Sequence, residues 1–107
     1  MERVIVLGLS GCHHCDALVV GLTQEGIPFE FKDVDLKEHS ELADRMEAIL
    51  KTDTYPMVII ERPEGAVYLY RVATIDEAKK TSIGYANKVG CVSTDSMVAI
   101  TQKYIKK

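Results

Sequence analysis

Two cysteines and two histidines share six positions of this chain, in Ser10-Gly11-Cys12-His13-His14-Cys15. Each of the four side chains is a potential metal ligand. The cysteines, at C-x-x-C spacing, can also close a disulfide across one turn. The two chemistries need different surroundings. A zinc site normally combines two separated ligand pairs, because adjacent residues do not easily close a tetrahedron. Distant ligands would have to be Cys91 and His39, and neither has a partner at ligand spacing. Redox exchange needs an accessible thiol that is favoured as thiolate, with a second thiol close behind it.

The flanking elements favour redox exchange. Arg3–Leu9 is a nearly continuous apolar run and reads as a buried central strand. From about His13 to Glu25, the residues Cys15, Leu18, Val19 and Leu22 repeat at helical spacing and make one apolar face. Gly26 and Pro28 then end the helix. Cys12 therefore falls at a helix N-terminus, where N–H groups and the macrodipole stabilise a thiolate. Cys15 lies about one turn later on the buried face. Cys12 is thus the attacking thiol and Cys15 the resolving one. His13 and His14, where protonated, would further stabilise the Cys12 thiolate.

Phe29–Asp35 alternates like a half-buried strand, and Glu38–Leu50 reads as a helix with Leu42, Met46, Ile49 and Leu50 inside and Asp35 or Ser40 as its cap. Met57–Glu61 and Ala66–Arg71 read as a hairpin around Arg62-Pro63-Glu64-Gly65, with Tyr68 and Tyr70 on one face of an edge strand. Thr74 to Glu77 fits a capping box, which predicts a short helix, and the stretch from Ser82 to Cys91 reads as loop. A last helix is expected from about Thr94 to Tyr104, with Met97, Ile100 and Tyr104 inside and Lys103, Lys106 and Lys107 near its C-terminal end. The result is an α/β fold: a four-stranded mixed sheet flanked by helices, with an extra segment over 72–92 before the last helix. Its first βαβ unit is a parallel pair with a right-handed crossover.

With 107 residues, 47% hydrophobic and 27% charged, the chain reads as one domain with its own core. A net charge of −3 argues against a general nucleic-acid or membrane-surface binder. Three cysteines do not make a secreted disulfide scaffold, and Cys91 reads as a small loop or core residue. No stretch approaches the roughly 20 apolar residues of a membrane span, and the N-terminal residues do not resemble a signal peptide. The expectation is a monomer in the reducing cytoplasm.

The residues resemble the glutaredoxin family, within the thioredoxin fold. "VIVLGLSGCHHC" resembles the family's strand and C-x-x-C entry, and "DTYPMVII" its Thr-Val-Pro motif and following strand. The similarity is good from residue 3 to about 60, poor from 72 to 92, and weak at the last helix. The resemblance implies a thiol–disulfide oxidoreductase that reduces protein disulfides or glutathione mixed disulfides. It would have no bound cofactor and glutathione as co-substrate. Cys12 would be the nucleophile and Cys15 the resolving thiol. Pro56 would be a cis-proline facing the dithiol, Tyr55 would offer its backbone to glutathione, and Thr54 would flank that site. Gly90, Thr94 and Asp95 would hold the γ-glutamyl end. The alternative is a metal or iron–sulfur module built on Cys12. The chain departs from the family pattern in having His13-His14 where Pro-Tyr is usual and Leu9 where a Lys or Arg is common. Lys51 and Arg71 are the cations left to replace it.

Overall fold

The computed structural model describes residues 2–83 and 87–105. The elements in chain order are β1 (Arg3–Gly8), α1 (His13–Gln24), β2 (Glu30–Asp33), a single 3-10 turn (Lys37–His39), α2 (Ser40–Leu50), β3 (Met57–Glu61), β4 (Val67–Arg71), α3 (Ile75–Ile83), β5 (Lys88–Cys91) and α4 (Thr94–Ile105). The strands form one sheet in the order β2-β1-β3-β4-β5. β1 runs parallel to β2 and antiparallel to β3, β3 is antiparallel to β4, and β4 is parallel to β5. This is a thioredoxin-like α/β fold.

The sheet has five strands where the sequence suggested four. Part of the segment taken as an added loop supplies the difference: Lys88–Cys91 pairs with Tyr68–Arg71 as a parallel edge strand, and α3 is its connecting helix. A four-residue strand containing Gly90 offers too little alternation to stand out from a loop. β4 is consequently an interior strand. Tyr68 and Tyr70 are half-buried beneath the α2-side core rather than on an edge. Residues 84–86, within the stretch read as loop, and Lys106 and Lys107 lie outside the described residues.

Alternation along the strands divides the core between the two faces of the sheet. One face carries Val4, Val6, Val58, Ile60, Val67, Leu69, Val89 and Cys91 against α1 and α4, with Leu18, Leu22, Met97 and Val98 from the helices. The other carries Ile5, Leu7, Met57 and Ile59 against Met46 and Leu50 of α2. α1 and α4 approach closely at Gly21, where a Cβ would lie 2.8 Å from Val98 Cγ2. In α4 the fully buried Thr101 satisfies its hydroxyl by donating to the Met97 carbonyl at 2.7 Å.

The expected stops and caps are partly as read. Gly26 follows α1 with φ +70°, the left-handed turn that Gly adopts without a Cβ penalty. Thr74 Oγ1 accepts from the Glu77 N–H at 3.2 Å and bonds the Glu77 carboxylate at 3.2 Å, which opens α3. α2 begins differently from expectation. Neither Asp35 nor Ser40 caps it; the 3-10 turn leads directly into it, and Ser40 Oγ donates back to the Lys37 carbonyl at 2.9 Å.

Candidate active site

The dithiol lies where β1 hands over to α1. Cys12 is the N-cap of α1, with extended backbone (φ −91°, ψ 117°). Its Sγ accepts from the Cys15 N–H at 3.3 Å, so a helix-start donor points at the sulfur. Cys12 is partly exposed, whereas Cys15 is 1% exposed. Cys15 Sγ accepts from the Leu9 N–H at 3.4 Å. Burial, reinforced by the hydrogen bond to Cys12, pushes the Cys15 thiol up to about 12. The two sulfurs are therefore chemically unequal: one meets solvent and a helix-start N–H, and the other is buried and held protonated.

Asp33 and Gly8, to which the sequence reading gave no role, hold this junction. Ser10 Oγ donates to Asp33 Oδ2 at 2.8 Å, which ties the loop before Cys12 to the end of β2, and Asp33 Oδ1 accepts from the Asp35 N–H at 2.9 Å. Gly8 provides the space. A Cβ there would sit 3.1 Å from Cys15 Sγ and 2.8 Å from Phe31 Cε1. The Phe31 ring is 42% exposed and can swing aside, but the buried sulfur cannot. Gly8→Ala is therefore expected to displace Cys15, to destabilise the protein by about 1–3 kcal/mol, and to slow closure of the Cys12–Cys15 disulfide. A urea midpoint, together with the rate of internal disulfide formation from a Cys12 mixed disulfide, checks this. A sequence signal for Gly8 existed, namely a glycine ending an apolar strand just before the cysteines.

Across the sheet end, the Tyr55–Pro56 bond is cis. Tyr55 belongs to the same apolar cluster as Cys15, with Cys12 packed against it. Its side chain turns away into the core, 8% exposed, and its hydroxyl donates to Glu47 Oε2 of α2 at 2.6 Å. The ring is thus a packing element rather than a platform for substrate. Thr54 is exposed, with its hydroxyl 2.7 Å from that of Thr52.

The remaining candidates lie farther along the sheet. Gly90 is buried within β5, paired with Tyr70, where the sequence suggested a loop. Thr94 and Asp95 open α4, whose first turn is capped by Ser93: its Oγ accepts from the Ser96 N–H at 3.1 Å. The structure groups Cys12, Cys15 and Tyr55. It places β4 between β3, which follows Pro56, and the strand that carries Gly90 and leads into Thr94 and Asp95. His13 and His14 are exposed on the first turn of α1. Cys91 is buried in the core of β5. Among the described residues no three His, Cys, Asp or Glu side chains converge as metal ligands would.

A C-x-x-C dithiol at the strand-to-helix junction of a thioredoxin-like fold defines the class of thiol oxidoreductases. Comparison with known families narrows it. The Glutaredoxin family model matches residues 4–62, from β1 to just past β3. The chain belongs to the glutaredoxin family, whose members generally act on glutathione and disulfide substrates. Among solved structures it is similar to the glutaredoxin (grx-1) from Archaeoglobus fulgidus. The two are 24% identical with a TM-score of 0.48, over 78% of this chain and 89% of that one. No curated protein sequence matches the chain. No helix among the described residues is long and apolar enough to cross a membrane.

Proposed function

We propose that this protein is a glutathione-linked dithiol oxidoreductase that reduces protein disulfides and glutathione mixed disulfides. The supporting observation is the asymmetry of the two sulfurs. Cys12 is partly exposed and receives the Cys15 N–H, whereas Cys15 is buried and pushed up to about 12. The Cys12 thiolate attacks one sulfur of the substrate disulfide. A Cys12–substrate disulfide forms, and the other substrate sulfur leaves as thiolate and takes a proton. Cys15 then loses its proton and attacks the Cys12 sulfur. The second substrate thiol is released and a Cys12–Cys15 disulfide remains. Two glutathione molecules return it to the dithiol, leaving as glutathione disulfide. No bound cofactor is required.

In this reading His13 and His14 add positive charge beside the attacking sulfur when protonated. The backbone of Tyr55, with Thr54 and Pro56 beside it, receives glutathione. Gly90, Thr94 and Asp95 are the proposed contacts for its γ-glutamyl end. The protein would work as a monomer in a reducing compartment, the cytoplasm.

The test is reduction of a glutathionylated peptide with glutathione, glutathione reductase and NADPH, run beside a parallel assay driven by thioredoxin reductase. Turnover in the first assay is expected. Turnover only in the second would replace glutathione by a thioredoxin-type electron source. Turnover in neither would sink the exchange reading.

A further inference from the structure

The two faces of the sheet are not covered equally. α1 and α4 pack on one face, whereas α2 is the main helical cover of the other. With 11 residues α2 is short, and Met46 and Leu50 bring it down on Ile5, Leu7, Met57 and Ile59. Beside it a trough of about 430 Å³ stays open between the helix and the sheet. Arg3 and Glu61, paired across β1 and β3, line its end. β1 starts at Arg3 and hands over to the dithiol past Gly8, so the trough extends away from Cys12 and Cys15.

The lining combines two chemistries. Leu42, Ile49, Ala66 and Tyr68 are only partly buried, so apolar and aromatic surface faces the open space, with Ile5 and Ile59 of the sheet beneath. Three cations, Arg3, Lys32 and Arg45, line the same space against one carboxylate, Glu61. Glu30 holds Arg3 at 2.7 Å and Lys32 at 3.3 Å, and Glu61 holds Arg3 at 3.1 Å. Those two carboxylates engage Arg3 and Lys32. Arg45 has no ion pair among the described residues. One positive charge is therefore left over at the trough, in a chain whose net charge is −3. Helical spacing explains its place. Leu42, Arg45 and Ile49 follow one another at steps of three and four on one side of α2, so the guanidinium stands between two apolar side chains.

We propose that this trough binds a small amphipathic carboxylate, with its apolar body against Ile49, Ile59 and Tyr68 and its acid on Arg45. The volume lies within the range of small-molecule sites, about 300–1,000 Å³, which are largely apolar with a few placed polar groups. A planar guanidinium fork suits a carboxylate. A nucleotide phosphate chain is a poorer match, because only one cation is unbalanced. The site is separate from the dithiol and stands whether or not that dithiol exchanges disulfides.

The experiment titrates the full-length, ¹⁵N-labelled reduced protein with 2-naphthoate and with its neutral counterpart 2-naphthalenemethanol, and follows amide chemical shifts. Saturable shifts are expected at Arg45, Ile49, Ile59 and Tyr68, with a dissociation constant for the acid of about 0.1–1 mM. The acid should bind about fivefold more tightly than the alcohol, and Arg45→Gln should make the two equal. Arg45 is exposed and unpaired, so this variant leaves the fold intact. Ala66→Leu fills the space and should weaken both ligands about tenfold. Shifts that do not saturate or that centre on another face overturn the proposal. Equal wild-type affinities for acid and alcohol, or an acid preference that survives Arg45→Gln, overturn it as well.

Discussion

Cys12→Ser is expected to abolish disulfide reduction, down to the rate of uncatalysed exchange in solution. The attacking atom must be a thiolate, and a serine hydroxyl does not ionise in the accessible range or displace a disulfide sulfur. The other thiol does not take over. Cys15 is 1% exposed, and burial pushes it up to about 12, so it neither meets substrate nor supplies much thiolate. Loss of activity will not reflect loss of fold. Cys12 is the N-cap of α1, and serine is among the best N-cap residues. The Cys15 N–H, now received by sulfur at 3.3 Å, would be received by the serine oxygen. Stability should therefore hold within about 1 kcal/mol or rise slightly. Turnover of a disulfide substrate beside a urea midpoint checks both halves. Residual turnover well above the solution rate would mean that the nucleophile is elsewhere.

The placement of the two cysteines was legible in the sequence because it is encoded locally. An apolar strand, a cysteine at a helix start and a second cysteine on the helix's apolar face are short-range patterns. They place Cys12 and Cys15 in their environments with no long-range information. The apolar faces of α1 and α2 were legible for the same reason. What escaped depends on contacts distant in sequence. β5 is a strand because β4 pairs with it, and its four residues carry no alternation that announces it. That pairing moves Gly90 from a loop into a buried strand and β4 from the edge to the interior. The Asp33–Ser10 bond and the space at Gly8 join β2, β1 and α1, and they become visible only once the strands are side by side. The packing of the Tyr55 ring is similar, because the partner of its hydroxyl, Glu47, lies on α2.

Arg71 shows the same limit from the other side. Its charge was plain in the sequence, and it was one of two cations that might serve the site. The missing knowledge was that its buried Nε has no hydrogen-bond partner among the described residues and that it ends β4, two residues beyond the Leu69–Val58 pair. Sequence supplies the inventory of charges, while register decides which of them remain available to a substrate.

Cys15→Ser is expected to split the activity rather than remove it. Cys12 still attacks, but nothing resolves the product, so one equivalent of protein–substrate mixed disulfide should accumulate and be visible by mass. Turnover on protein disulfides should fall to near background. Reduction of a small glutathione mixed disulfide, which needs only Cys12 and a second glutathione, should persist. The Leu9 N–H that now reaches the Cys15 sulfur at 3.4 Å can bond the serine oxygen, so the fold should survive. The same residue predicts a pH dependence. With its thiol pushed up to about 12, the wild-type Cys15 is a minor thiolate at neutral pH. The single-turnover rate of resolution should therefore rise about tenfold per pH unit from about pH 6 to about pH 9. Stability should move the opposite way. A thiol that holds its proton more tightly folded than unfolded contributes stability in full below the unfolded value of about 8.5, and that contribution is lost as pH climbs toward about 12. Cys91, buried and likewise pushed up to about 12, adds a second contribution of the same sign. Urea midpoints of the reduced wild type should thus fall through this alkaline window, and those of Cys15→Ser should fall less steeply, with the remaining slope belonging largely to Cys91. A slope unchanged by the substitution would show that Cys15 titrates no differently folded than unfolded, and the burial argument for its role as the held-back thiol would fail with it.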